Sequence, residues 1–158
     1  MLTVDGYCAG QSSATYSTIK RKKGKNKMRT IKFKAKRLDN KEWTCGYFYE
    51  ENDNTYIIEN RQKESILNRN ITYKVNPKTV CQFTGLHDKN GKEIYDGDVL
   101  AHDGKIIGHV VDGVRGYCFD VVYADPVSTS TWPLYGVVVN DYEGDVEVVG
   151  SIHDRKEK

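Results

Sequence analysis

The chain has 158 residues, 38% of them hydrophobic and 11% aromatic, and a formal net charge of +2. That length holds one ordinary domain or two very small ones. No run is long or apolar enough to span a membrane, and the N-terminus lacks the apolar stretch of a secretory signal, so a soluble, intracellular protein with no membrane partner is expected.

The modest net charge hides an asymmetry. Eleven basic residues and no acid lie between Lys20 and Arg37, whereas Leu38 onward carries 13 basic and 21 acidic residues. Residues 1–27 are rich in Ser, Thr, Gly and Lys and have few side chains able to fill a core, which predicts a disordered basic arm. Lys20, Arg21, Lys22, Lys23, Lys25 and Lys27 are its candidate phosphate contacts, because dense Lys and Arg neutralise phosphates and release counterions. No aromatic residue interleaves the run between Lys20 and Arg29, so the arm shows no sign of base stacking. Any nucleic-acid binding through residues 20–37 is expected to be weak and without sequence choice.

A folded part is predicted from Met28. Ile31, Phe33 and Ala35 alternate with Lys32, Lys34 and Lys36, the period of a half-exposed strand. Trp43, Cys45, Tyr47 and Tyr49 form a second alternating set; Asn52-Asp53-Asn54 reads as a turn and Thr55–Glu59 as the returning strand. After a polar stretch, Ile71–Val75 reads as a strand that Pro77 ends, since proline cannot donate to a ladder. These elements make a small β-rich subdomain over residues 28–80.

Residues 81–158 read as a second unit. Thr84-Gly85 is expected to reverse the backbone, Asp88-Lys89-Asn90-Gly91 to form a turn, and Asp96-Gly97-Asp98 to turn the chain into Val99-Leu100, with Gly97 in a left-handed conformation. Asp103-Gly104 and Asp112-Gly113 are candidate type I′ hairpin turns. Lys105–Val111, Tyr117–Tyr123, Leu134–Val139 and Val146–Ile152 supply the remaining strands. Short strands with tight turns over some 70 residues predict a small SH3-like barrel. The fold class is therefore mainly β.

No residue pattern indicates chemistry. Asp88-Lys89-Asn90-Gly91 begins like a calcium loop, but Glu93 and Val99 occupy the positions that need Gly and Glu. Cys8, Cys45, Cys81 and Cys118 form no C-x-x-C pair, and His87, His102, His109 and His153 form no H-E-x-x-H pair. A Cys118–His109 contact across a hairpin reads as a chance neighbour. No nucleophile elbow, P-loop or dinucleotide fingerprint occurs. No catalytic residue, cofactor or metal site is expected.

The segment Gln82–Leu100, with Thr84, Gly85, Leu86, Asp88, Asn90, Gly91, Ile94, Tyr95, Gly97 and Asp98 at its turns and strand entry, resembles the hallmark segment of the YopX family. The opening Arg29–Ala35 and the closing Val146–Ile152 add weaker likeness, so that the resemblance covers residues 28–154 and leaves the basic extension outside it. The resemblance implies a β-rich subdomain followed by an SH3-like barrel, a phage or prophage origin and hence a bacterial host cytoplasm. It further implies self-association or a phage or host protein partner. It supplies no reaction and no catalytic residue. A non-enzymatic accessory protein acting by protein binding or self-association is the leading expectation, supported by the 11 tyrosines, whose large amphipathic rings suit interfaces.

Overall fold

A computed structural model describes residues 30–61, 65, 67, 69–113, 118–124, 130–142 and 144–154. The expected disorder of residues 1–27 and the six candidate phosphate contacts lie outside the described residues. The fold is mainly β, as expected, in two antiparallel sheets. Among the described residues no helix is long and apolar enough to cross a membrane.

The first sheet has the order β4-β3-β2-β1-β5-β6. Its strands are β1 (Phe33–Lys36), β2 (Trp43–Glu51), β3 (Asn54–Glu59), β4 (Ile71–Lys74), β5 (Cys81–His87) and β6 (Glu93–Tyr95). Asn52 and Asp53 both have positive φ, 49° and 61°, and close a two-residue hairpin with Glu51 opposite Asn54, the geometry that Asn and Asp tolerate best among non-glycine residues. A one-turn 3₁₀ segment, Pro77–Thr79, follows β4 and is capped by the Asn76 side chain. The sheet then continues into β5 and β6, so the hydrogen-bonded unit runs past residue 80, where the sequence suggested a boundary. β5 does not reverse at Thr84-Gly85. It passes through Gly85 at φ 92° in a bulge between Phe83 and His87, and the chain turns back only at Asp88–Gly91.

Ala35, Ile57 and Val75 are buried on one face of this sheet and pack with Phe33, Phe48 and Tyr73. Because Phe48 stands opposite Ile57, period-two alternation sends Trp43, Cys45, Tyr47 and Tyr49 to the other face. There Trp43 packs with buried Cys81, Phe83 and Tyr95.

The second sheet has the order β10-β9-β8-β7-β11, from β7 (Asp98–His102), β8 (Lys105–Val111), β9 (Asp120–Tyr123), β10 (Thr131–Pro133) and β11 (Glu147–Ser151). Leu100, Val110, Val121, Leu134, Val137 and Val146 belong to its core. Asp103 and Gly104 have φ 48° and 73°, as a type I′ turn requires. Asp112-Gly113 differs: a Cβ on Gly113 would lie 1.6 Å from the Cys118 carbonyl oxygen, so glycine serves close backbone approach there.

Leu134–Val139 is not a strand. Gly136–Asp141 forms a π-type helical turn, and Leu134, Val137 and Val138 are buried while Tyr135 and Val139 are exposed. That spacing of i, i+3 and i+4 is helical, and it overrides the β propensity of three successive valines. β10 is consequently only three residues long and ends in Pro133, which has no N–H to extend a ladder. No pairing joins β10 to β11 among the described residues, and no closed barrel is found.

Candidate functional site

The Gln82–Leu100 segment acts as a clasp between the sheets. Asp88 is buried, and its carboxylate accepts from the backbone N–H groups of Asn90 (2.8 Å), Lys92 (2.9 Å) and Val148 (3.1 Å). Burial pushes its pKa up, but those three donors outweigh it and hold the carboxyl below the usual range. Gly97 has φ 74°, as expected. Its N–H donates to the Val110 carbonyl and its carbonyl accepts from Ile152, each at 2.9 Å, so one residue ties β8 to the end of β11. Thr84 donates to the Ile94 carbonyl at 2.7 Å, while Ile94 itself is buried in the second core. Leu86 packs partly buried on that same core. Asn90 and Gly91 occupy the exposed turn, with Gly91 N–H donating to the Asp88 carbonyl.

Lys32, just ahead of β1, and the β1 lysines Lys34 and Lys36 are not solvent-facing. Lys32 pairs with Glu93, Lys34 with Asp98, and Lys36 with Asp154 at 2.9 Å. Arg37 pairs with Asp39. Lys34 Nζ lies 4.8 Å from the Trp43 ring centroid and 4.9 Å from that of Tyr95; Lys36 lies over Trp43 and Lys32 over Phe83. Each ammonium thus has a carboxylate and at least one aromatic face, an arrangement worth about 0.5–2 kcal/mol per cation–π contact. The strand's period of two, which the sequence displays as lysines alternating with apolar residues, sends all three cations to the side where the second half of the chain docks.

These residues line a cleft of about 360 Å³, with Lys34, Trp43, Tyr95, Asp98, Ser151 and Asp154 among its walls. Asp98 is fully buried and also accepts from Tyr95 N–H at 2.9 Å. Burial raises its carboxyl pKa, and Lys34 opposes that rise. Burial likewise raises the Tyr95 phenol, whose hydroxyl donates to Glu93 at 2.7 Å. Burial pushes the Cys81 thiol up to about 12, and desolvation by its neighbours raises that of Cys45 although the residue is exposed, so neither is poised as a thiolate nucleophile. Each carboxylate lining the cleft, Glu93, Asp98 and Asp154, already has a lysine.

Outside the cleft, the register places His109 opposite Val99 and Val122 rather than Cys118. Cys118 Sγ lies 3.7 Å from Asp120 Oδ1. Asp120 is fully buried, and its Oδ2 has no hydrogen-bond partner among the described residues. His102, Asp103 and Asp145 gather at one hairpin end, but His102 Nδ1 contacts the Asp145 carbonyl at 2.6 Å and Lys89 pairs with the Asp145 carboxylate.

Sequence reading missed two surfaces. The first is at β10, an edge strand, where Trp132 is 57% and Tyr135 61% exposed beside partly exposed Val139. Trp132 and Pro133 line a groove of about 530 Å³ with Gly136, Val137 and Asn140. Only a helical assignment of Leu134–Val139 could have shown that Tyr135 and Val139 face outward. The second is the tyrosine row on β2 and β3.

Among curated proteins, none matches the chain. The family model described as YopX protein matches residues 18–157. The match starts ten residues ahead of Met28, so Lys20–Lys27 lie inside the matched region, contrary to the narrower resemblance read from the motifs. Spanning nearly the whole length, that match shows that the chain belongs to the YopX family.

Proposed function

We propose that this chain is a non-enzymatic phage or prophage accessory protein of the host cytoplasm that works by binding another protein, or a second copy of itself, through the β10 face. The observation that carries this reading is two exposed aromatic side chains, Trp132 on a short edge strand beside an open groove and Tyr135 just after that strand. Aromatic anchors dominate protein interfaces because they bury large areas at low entropic cost. A π-type turn supplies one wall, and such turns are frequent at functional sites. We read the second sheet as an SH3-like unit: the meander β7-β8-β9-β10, a helical turn, and β11 returning beside β7 support it. The non-enzymatic reading is supported by the inter-sheet cleft, where every lining carboxylate is matched by Lys32, Lys34 or Lys36.

Nucleic-acid binding by the whole 20–37 stretch is disfavoured by the same pairs. Lys32, Lys34, Lys36 and Arg37 already face the chain's own carboxylates, which leaves the residues before Thr30. The test of the leading reading is sedimentation and affinity capture from phage-infected cells with the parent chain and a Trp132→Ala/Tyr135→Ala variant. Self-association or a captured partner should be lost in the variant while its melting temperature stays within a few degrees. An unchanged oligomer and partner set would refute the β10 assignment.

A further inference from the structure

β10 is the free edge of the second sheet, and the phase of its ladder is fixed. Tyr123 N–H donates to the Ser130 carbonyl at 3.3 Å and Leu134 N–H to the Phe119 carbonyl at 2.8 Å, with Trp132 opposite Val121 between them. In an antiparallel pair the backbone groups of alternate residues face the partner strand. Ser130, Trp132 and Leu134 therefore turn theirs toward β9, and Thr131 turns its N–H and C=O to the open side. Neither group has a partner among the described residues.

The groove of about 530 Å³ has Thr131, Trp132 and Pro133 on its strand side and Gly136, Asn140 and Asp141 on its helical-turn side. A Cβ on Gly136 would meet nothing within 4 Å, so the turn leaves room above it. Asp141 is exposed and, unlike the carboxylates of the inter-sheet cleft, forms no ion pair among the described residues. One groove thus presents an outward backbone donor and acceptor, an exposed indole and an unpaired carboxylate.

We propose, resting on the binding role of the β10 face, that this edge takes up an extended, basic segment of another protein as an added strand. One residue of the segment exchanges backbone hydrogen bonds with Thr131, an apolar side chain lies against Trp132, and a Lys or Arg reaches Asp141. Backbone pairing supplies the affinity of such an addition, and side-chain contacts its specificity. A second copy of this chain fits the edge poorly. Pairing two β10 strands about Thr131 brings only three residues from each, and Pro133 has no N–H to offer. Leu86 onward carries 14 acidic and 7 basic residues, so a second copy also brings like charge to Asp141.

The test is selection from a displayed library of random dodecapeptides, followed by titration of a selected peptide into the isotope-labelled chain. Selected peptides should be rich in Lys and Arg and in β-branched residues. On titration the Thr131 amide should become protected from exchange and the Trp132 indole signal should shift, while that of Trp43, which donates to Asp154 at 3.2 Å, should not. Methylating the backbone nitrogen of every second peptide residue should abolish binding in one phase and spare it in the other. Thr131→Pro removes only an outward N–H, which an edge strand tolerates, and should weaken binding roughly tenfold; Thr131→Val should bind like the parent. Asp141→Asn should weaken a Lys-bearing peptide about two- to fivefold. No enrichment, enrichment of acidic peptides, equal tolerance of both methylation phases, or signals that move only away from Thr131 and Trp132 would each overturn the added strand. If the peptide tests fail while Trp132→Ala/Tyr135→Ala abolishes self-association, the face stands and its occupant is a second copy; if that variant changes neither oligomer nor partner, the binding role of the face itself falls.

Discussion

Replacing Lys34 by Met isolates the energetics of the inter-sheet clasp. Methionine keeps an unbranched apolar stem between Trp43 and Tyr95 but removes the charge that faces Asp98, whose side chain has no solvent exposure. Removing one partner of a buried ion pair costs roughly 3–5 kcal/mol, because the other charge stays buried and uncompensated. The pH dependence gives the mechanism away. Burial already raises the Asp98 pKa and Lys34 opposes the rise, so in the variant the folded-state pKa climbs further above the unfolded value near 3.8. A carboxyl with a raised folded pKa favours the fold below the unfolded pKa, and that contribution is lost as pH rises through the folded pKa. Between the two pKa values each pH unit costs about 1.4 kcal/mol, and above the folded pKa no more is lost. Urea titrations of parent and variant at pH 5 and pH 7 should therefore show a larger difference at pH 7, and a Lys34→Met/Asp98→Asn double variant should recover much of the loss at both. A Lys34→Met chain as stable as its parent, or equally destabilised at the two pH values, would refute the reasoning.

Other substitutions test neighbouring parts of the clasp. Asp88→Ala strands three backbone donors and should cost about 3 kcal/mol in urea unfolding, with Asp88→Asn losing less because it keeps an acceptor oxygen. Glu93 is pushed up by burial but held below its ordinary value of 4.5 by Lys32 and the Tyr95 hydroxyl. Its contribution is full above pH 4.5 and is lost as pH falls through the folded pKa, so Glu93→Gln should flatten the acid limb of a stability–pH curve; an unchanged limb would place the acid sensitivity elsewhere. Gly97→Val places a β-branched residue at φ 74° with its Cβ 3.3 Å from His153 Nε2, and thermal melts should show a loss of about 1 kcal/mol or more.

Local chemistry made much of the fold legible. The Asn52-Asp53 and Asp103-Gly104 turns, the left-handed Gly97 and the strand character of Phe33–Lys36 all follow from side-chain sterics within a few residues. What was not legible depended on partners distant in sequence. Three lysines in alternation read as the outer face of a half-exposed strand, yet Glu93, Asp98 and Asp154, more than 60 residues away, turn them inward. Leu134–Val139 reads as a strand by propensity, yet burial of Leu134, Val137 and Val138 against the second core fixes a helical turn. Thr84-Gly85 reads as a reversal, yet β5 continues because β1 pairs with it through Gln82 and Cys81.

The charge asymmetry of the chain changes meaning once these contacts are known. Basic residues 20–37 first appear as one arm attached to an acidic body. The structure gives four of them a different role. Lys32, Lys34, Lys36 and Arg37 are spent on the chain's own carboxylates, in pairs whose buried members hold the two sheets in register, so they offer little to an external phosphate. The seven that precede Thr30 lie outside the described residues. The part from Lys32 to Lys36 thus serves as an internal clasp that resists high salt because it is partly buried. Salt should therefore weaken the fold little. A melting temperature that fell steeply across a salt series would mean that the clasp itself is solvent-screened and that its pairs are not protected by burial.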